Sequence, residues 1–388
     1  MTRDDDDKTT APEPAMIPGP APRDRWRALR RLPAWLRGAL TLGAGIAGGA
    51  VFAAIGAPLA WMLGAMTVST GLAIAGAPVV GFPQARAVMA AVLGVLLGSA
   101  FTPEIVQKLP QWAGVLGVLG VVLVLHGAVA LVYLYRKAHF SWPNSYYGAA
   151  PGGLIEMVVQ AEREGGSMHT VALIHATRIL FVVAVVPLGF RIFGGAHVPA
   201  LPPKLHAPLT LEEAAWLIGC AGIGLFLGVR LRLPAPHVVG PMLLSILVHA
   251  LGFSHLAPPA LLIAAAQVTI GTSIGVRFGG RSNRELRQAV GHGAVSSTLM
   301  LLVAGASAMI ASPLLSIPPE TLILAFTPGG LAEMSLIALS LNRETALISA
   351  MHAIRILLVV MLAQTIYRAL TQWRANRHRR AARETTNF

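Results

Sequence analysis

Charge is scarce in this sequence: 12% of the residues are charged, while 55% are hydrophobic. That balance argues against a soluble globular class for a chain of 388 residues. Cysteine is almost missing. Cys220 stands alone, which excludes an internal disulfide and a thiolate metal cluster. Aspartate disappears after Asp24, and with it goes the carboxylate pair that many ion exchangers use and much of the usual metal-ligand inventory. No metal and no cofactor is therefore expected.

What fills the chain instead is apolar sequence in runs of 17 to 25 residues, long enough to cross a bilayer as helices. The formal net charge of +13 is concentrated at the edges of those runs. Arg23, Arg25, Arg27, Arg30, Arg31 and Arg37 precede the first, and Arg368, Arg374, Arg377, Arg379, Arg380 and Arg383 follow the last. Basic flanks beside membrane segments put both termini in the cytoplasm. Nucleic acid is not expected as a partner, because neither a recognition-helix pattern nor a zinc motif accompanies the charge. Membrane lipid is.

The sequence organises into a disordered, basic, cytoplasmic N-terminus over 1–37, a first membrane repeat over 38–193, a Gly/Pro-rich linker over 194–211, a second repeat over 212–370 and a basic cytoplasmic tail over 371–388. Residues 1–22 read as disordered. The run from Asp4 to Lys8 looks like an introduced protease site and stands outside the fold. No cleavable leader is expected.

The duplication shows in one unit. Pro151, Gly152, Gly153, Leu154, Glu156, Met157, His175 and Arg178 return as Pro328, Gly329, Gly330, Leu331, Glu333, Met334, His352 and Arg355, each 177 residues later. Gly64 and Met66 match Gly240 and Met242, while Gly94, Gly98 and Phe101 match Gly271, Gly275 and Phe278. The GxxxG spacing in that last set offers a flat helix face. Internal packing is the reading preferred for it, and the seam of a homodimer is the alternative.

Six apolar segments are expected per half, at 40–55, 59–76, 87–101, 112–135, 146–160 and 168–193, and again at 214–229, 238–252, 260–278, 290–310, 322–341 and 345–370. Basic loops swap places between the halves. Arg136 and Lys137 follow the fourth segment of the first, whereas Arg277, Arg281, Arg284 and Arg287 follow the third of the second. If positive loops are cytoplasmic, the halves face opposite ways and each crosses an odd number of times. The expectation is an all-α polytopic membrane protein built as an inverted repeat. It would have about ten transmembrane helices plus two re-entrant or broken Pro-Gly-Gly segments. Arg191 and Lys204 would fall outside as exceptions. The alternative is that a short Gly-rich segment, such as the second, fails to cross instead of the fifth.

Proline removes an amide donor and blocks a continuing helix, and glycine then accepts unusual dihedrals. Such breaks are tolerated at membrane depth only where they line a polar cavity or lie within protein. Glu156 and Glu333 would stand in the first turn after each break. There the helix dipole favours the anion and burial favours the acid. His175 with Arg178, and His352 with Arg355, share a helix face. The arginines offer planar forks for a carboxylate or phosphate, and histidine suits proton traffic. Gly152, Gly153, Glu156, His175 and Arg178, together with Gly329, Gly330, Glu333, His352 and Arg355, are thus the candidate substrate-binding residues. The competing architectural reading pairs Glu156 with Arg178 and Glu333 with Arg355, so that the charges merely neutralise each other between helices.

These doubled PGGLxEM and HxxR units, with the paired Gly-Met and GxxxG segments, closely resemble the AbrB duplication family of bacterial inner-membrane proteins. The resemblance covers nearly all of the chain after about Leu36. The family is similar in turn to cation–proton antiporter and anion transporter folds, whose inverted repeats contain broken helices. The resemblance implies a multi-pass inner-membrane transporter. The expected activity is secondary transport of a small anionic or zwitterionic metabolite coupled to protons or sodium. A non-transporting sensor, with the role in gene expression that the family name carries, is the alternative. A third label, ammonia monooxygenase, finds no convergent copper or iron ligand set here. An enzyme is not expected.

Overall fold

The computed structural model describes residues 26–193, 210–280 and 283–386. Among these the chain is helical, with no strand. In a lipid environment a helix satisfies its own backbone, so long apolar runs have little other choice. Fourteen helices have eight residues or more, and they form two series of seven. The first comprises α1 (Ala34–Ala54), α2 (Ala60–Ile74), α3 (Pro83–Gly98), α4 (Ala113–Arg136), α5 (Trp142–Ala149), α6 (Leu154–Arg163) and α7 (Met168–Phe193). The second comprises α8 (Leu211–Arg230), α9 (Pro236–Ala250), α10 (Ala260–Gly275), α11 (Asn283–Leu315), α12 (Pro319–Phe326), α13 (Leu331–Ser340) and α14 (Thr345–Thr386).

The starts of α3, α5, α6 and α7 recur 177 residues later as those of α10, α12, α13 and α14. Even the turns repeat. His139 and Ser316 both sit at left-handed φ, at 56° and 54°, and Gly165 at 78° answers Asn342 at 51°. Asparagine is among the few residues that tolerate this region, so it can stand where the first copy uses glycine.

Among the described residues seven helices are long and apolar enough to cross a membrane: α1, α4, α7, α8, α10, α11 and α14, two of them (α4 and α10) with a few flanking residues. Helices α2, α3 and α9 are apolar but shorter, about 22–24 Å at the usual rise per residue. The halves interlock through these shorter helices, since α2 packs on α10 and α3 on α9. The GxxxG faces make that possible. A Cβ at Gly98 would meet the Met242 carbonyl at 2.6 Å, and one at Gly275 would meet the Met66 carbonyl at 2.9 Å. The motif therefore serves packing between the two halves, and its face is already occupied. Met62, Met66, Leu93 and Ile270 fill the core at this crossing.

The expected fifth segment is two half-helices in each copy, α5 with α6 and α12 with α13, separated at Pro-Gly-Gly. In the first copy this pair folds back on itself. The Ser167 N–H, past the end of α6, donates to the Asn144 side chain at the start of α5 over 2.7 Å. The hairpin is fastened to α14 by Tyr146, whose hydroxyl donates to the Ala363 carbonyl at 2.7 Å, and by Arg374, 4.1 Å above the Trp142 ring.

Several segment limits differ from expectation. α11 begins at Asn283 rather than near 290, because a charged first turn continues as helix where hydropathy gives no signal. α14 does not stop at 370 but runs on to Thr386 through the basic stretch. The disorder expected as far as 37 does not hold from Trp26 on: Arg27–Arg30 form a helical turn, α1 begins at Ala34 rather than near 40 because helix continues through the basic Arg37, and the Trp26 indole donates to the Ala75 carbonyl at 3.0 Å. The disorder read over 1–22, most of the linker over 194–211, Lys204 and Arg281 lie outside the described residues.

Candidate functional site

Severing a helix leaves orphan carbonyls on one side of the break and orphan amides on the other. The repeated unit attends to both. In the first copy the His175 Nε2–H donates to the Tyr147 carbonyl at 2.8 Å, and Arg178 Nη2 donates to the Ala150 carbonyl at 3.1 Å. In the second, His352 Nε2–H donates to the Leu324 carbonyl at 2.9 Å, and Arg355 Nη1 to that of Thr327 at 2.7 Å. Every acceptor lies 28 residues before its donor, at the C-terminal end of the half-helix. A guanidinium there also opposes the negative end of the helix dipole. The HxxR unit is thus a cap delivered from the next long helix.

The acids stand on the other side of the break. Gly153 and Gly330 are the N-caps of α6 and α13, so Glu156 and Glu333 occupy the third helical position and fold back over them. This is the position that the acid of a capping box takes. It also corrects the role expected of the glycines. Gly153 (φ −64°) and Gly330 (φ −77°) have ordinary extended conformations that any residue adopts. Glycine is favoured because a Cβ at either position would run into the returning carboxylate, which would have to move to admit it.

The two acids differ. Glu156 is half-buried, and its Oε1 accepts the Ala235 N–H at the entrance of α9 over 3.3 Å. Glu333 is buried, within electrostatic reach of Arg86 and Arg355. The direct Glu–Arg pairing considered from sequence is not what the arginines do. Arg178 contacts the Ala150 carbonyl, the His175 Nδ1 at 2.7 Å and the Met300 sulfur at 3.9 Å. Arg355 contacts the Thr327 and Gly329 carbonyls.

The two copies meet. Arg178 (4% exposed) and Arg355 (2% exposed) lie within electrostatic reach of each other, and both reach His126 on α4. Sequence reasoning passed over His126. Its signal was available, an ionisable side chain in the middle of an unbroken apolar run. It has no counterpart in the other copy, however, where Val303 stands, so a search by repeat skips it. Positive charge dominates this centre: Glu333 faces Arg355 and Arg86, while Arg178 is surrounded by carbonyls, an imidazole and a thioether. Among the described residues no three His, Cys, Asp or Glu side chains come together to hold a metal ion.

A family model described as "Transition state regulatory protein AbrB" matches residues 61–371, which takes in both breaks. The chain belongs to the AbrB family. Two relatives share it at moderate identity. The chain is 29% identical over 301 residues to an uncharacterized protein, YhjN, of Bacillus subtilis (strain 168), an alignment covering 72% of this chain and 77% of that one. It is 28% identical over 302 residues to a protein of Escherichia coli (strain K12) named "Putative regulator AbrB", covering 74% and 83%. The alignments leave aside about a quarter of this AbrB-family chain.

Proposed function

We propose that this AbrB-family chain is a secondary active transporter of a small anionic or zwitterionic metabolite, coupled to protons or sodium. The observation that carries the reading is that Arg178 and Arg355, each capping a severed helix of its own copy, lie buried within electrostatic reach of each other and of His126, in a cluster with more guanidinium than carboxylate. Broken helices whose ends converge are how inverted-repeat transporters build substrate sites within the bilayer. Two buried arginines of like charge favour an anion between or beside them. The half-buried Glu156 and the buried Glu333 are the candidates for coupling, since each is a carboxyl group held inside apolar surroundings.

On this reading the seven long helices and the shorter α2, α3 and α9 give ten crossings. The α5–α6 and α12–α13 pairs enter and leave on one face each, from opposite sides. Both termini are cytoplasmic, in a bacterial inner membrane, and a homodimer remains a compatible assembly. The protein is read as a carrier rather than an enzyme.

In sealed vesicles containing the purified protein, Glu156→Gln or Arg178→Ala should reduce gradient-driven uptake of the transported anion at least tenfold, while the helical signal is preserved. Uptake at the parental rate in both variants would remove these roles. A second reading, a membrane sensor that binds without transporting, is favoured by the regulator label of the Escherichia coli relative and by the extension of α14 to Thr386. Specific binding with no gradient-dependent uptake would decide for it.

A further inference from the structure

The repeat loses its symmetry where the two long fourth helices, α4 and α11, pack together. His126 on α4 is fully buried (0% exposed), and neither ring nitrogen has a hydrogen-bond partner among the described residues. The Met300 carbonyl is the one backbone acceptor close to the ring, and it falls short of full hydrogen-bond geometry. An imidazole kept dry and unbonded costs stability, and a valine like that at position 303 would avoid the cost.

Other unsatisfied atoms belong to its surroundings. Arg355 Nε and His352 Nδ1, both buried, also have no partner among the described residues. The first copy differs, because there the His175 Nδ1 accepts a hydrogen bond from Arg178. Of the two HxxR units, it is therefore the second that has unbonded nitrogens, and His126 on α4, which packs on α14, is the unbonded side chain within reach of it. They include two donors of suitable kind, an imidazole N–H and a guanidinium Nε–H. Arg355 has committed its other two nitrogens to the end of α12, so its Nε edge is the part left to hold something else.

We propose that His126 and Arg355 form the binding site for a small oxyanion, one oxygen taking the His126 N–H and another the Arg355 Nε–H. Carboxylate and phosphate share this chemistry. With both residues sealed from the surface here, the structure corresponds to a closed form, and entry requires the hairpins to shift. The assignment deepens the transport reading by placing the anion on the side of the second copy, and a binding measurement without a gradient keeps the two apart.

The test uses the full-length protein purified in detergent, with thermal unfolding followed against sodium acetate and, separately, sodium phosphate, at constant ionic strength made up with sodium chloride. The expected result is a saturable rise in the apparent Tm with one of the two anions. His126→Val should weaken the apparent affinity at least tenfold without lowering the Tm of the anion-free protein. His126→Asn, which keeps a donor, should retain part of the affinity and serves if the valine variant fails to fold. A rise that is equal in the parent and both variants would overturn the site, as would no rise with either anion. If binding depends on His126 and no gradient-driven uptake is found in vesicles, the site stands and the transport reading falls.

Discussion

Gly153 and Gly330 are confined to glycine by a neighbouring carboxylate, and the burial of that carboxylate sets how strongly. Glu156 is half-buried and has a route outward, so a methyl group at Gly153 can push it aside at the expense of its Ala235 contact. Glu333 is 7% exposed and held among buried neighbours, so it has nowhere comparable to go. Gly330→Ala should therefore destabilise by about 1–3 kcal/mol, the usual range for an overpacked site, and Gly153→Ala by clearly less. Thermal unfolding of the two variants side by side checks this. Equal losses would mean that the carboxylates do not govern these positions. All ten candidate residues named from sequence lie at the two breaks, because a duplicated ionisable unit in apolar sequence is a strong signal. Their division of labour was not legible. An imidazole that reaches a carbonyl 28 residues earlier does so across an intervening half-helix, and no helical periodicity encodes that distance.

Among the elements, α3 and α10 are where the helix surface matters most. Their glycines face backbone atoms of α9 and α2, and backbone cannot rotate out of the way as a side chain can. Gly98→Ala and Gly275→Ala should each lower stability by about 2 kcal/mol or more, since the helices must separate to admit the methyl group. Gly120 on α4 and Gly305 on α11 are also helical, but a Cβ there meets nothing within 4 Å. Gly120→Ala and Gly305→Ala should be neutral or stabilising by up to about 1 kcal/mol, because alanine is the better helix former. If all four variants behaved alike in a denaturation series, close approach would not be what the GxxxG spacing provides. The order of elements followed from hydropathy, and α7 has the expected limits of 168 and 193. Hydropathy reports lipid exposure rather than helicity, which is why the charged start of α11 and the basic end of α14 were not read as helix.

At the scale of the whole molecule, the proposed inversion of the halves makes a demand that no local contact can satisfy. The turns after α4 and α11 are equivalent, down to the left-handed φ of His139 and Ser316. In a parallel duplication they would lie on the same side of the membrane; in an inverted one they must lie on opposite sides. Charge favours the second arrangement, since Arg136 and Lys137 lie just before His139, whereas the stretch from Ser312 to Ser316 carries none. Cys220 is buried and alone, so a Cys220→Ala background gives a clean starting point for single-cysteine labelling. In intact cells, a membrane-impermeant maleimide should label Ser316→Cys directly and should reach Lys137→Cys only after the cells are opened. Both positions are exposed, so failure to label in intact cells reports the side of the membrane rather than burial. Labelling of both from the same side would leave the two hairpins entering from one face. The ends of α5 and α12 would then have no reason to meet at mid-membrane, and the shared anion site would lose its geometric basis.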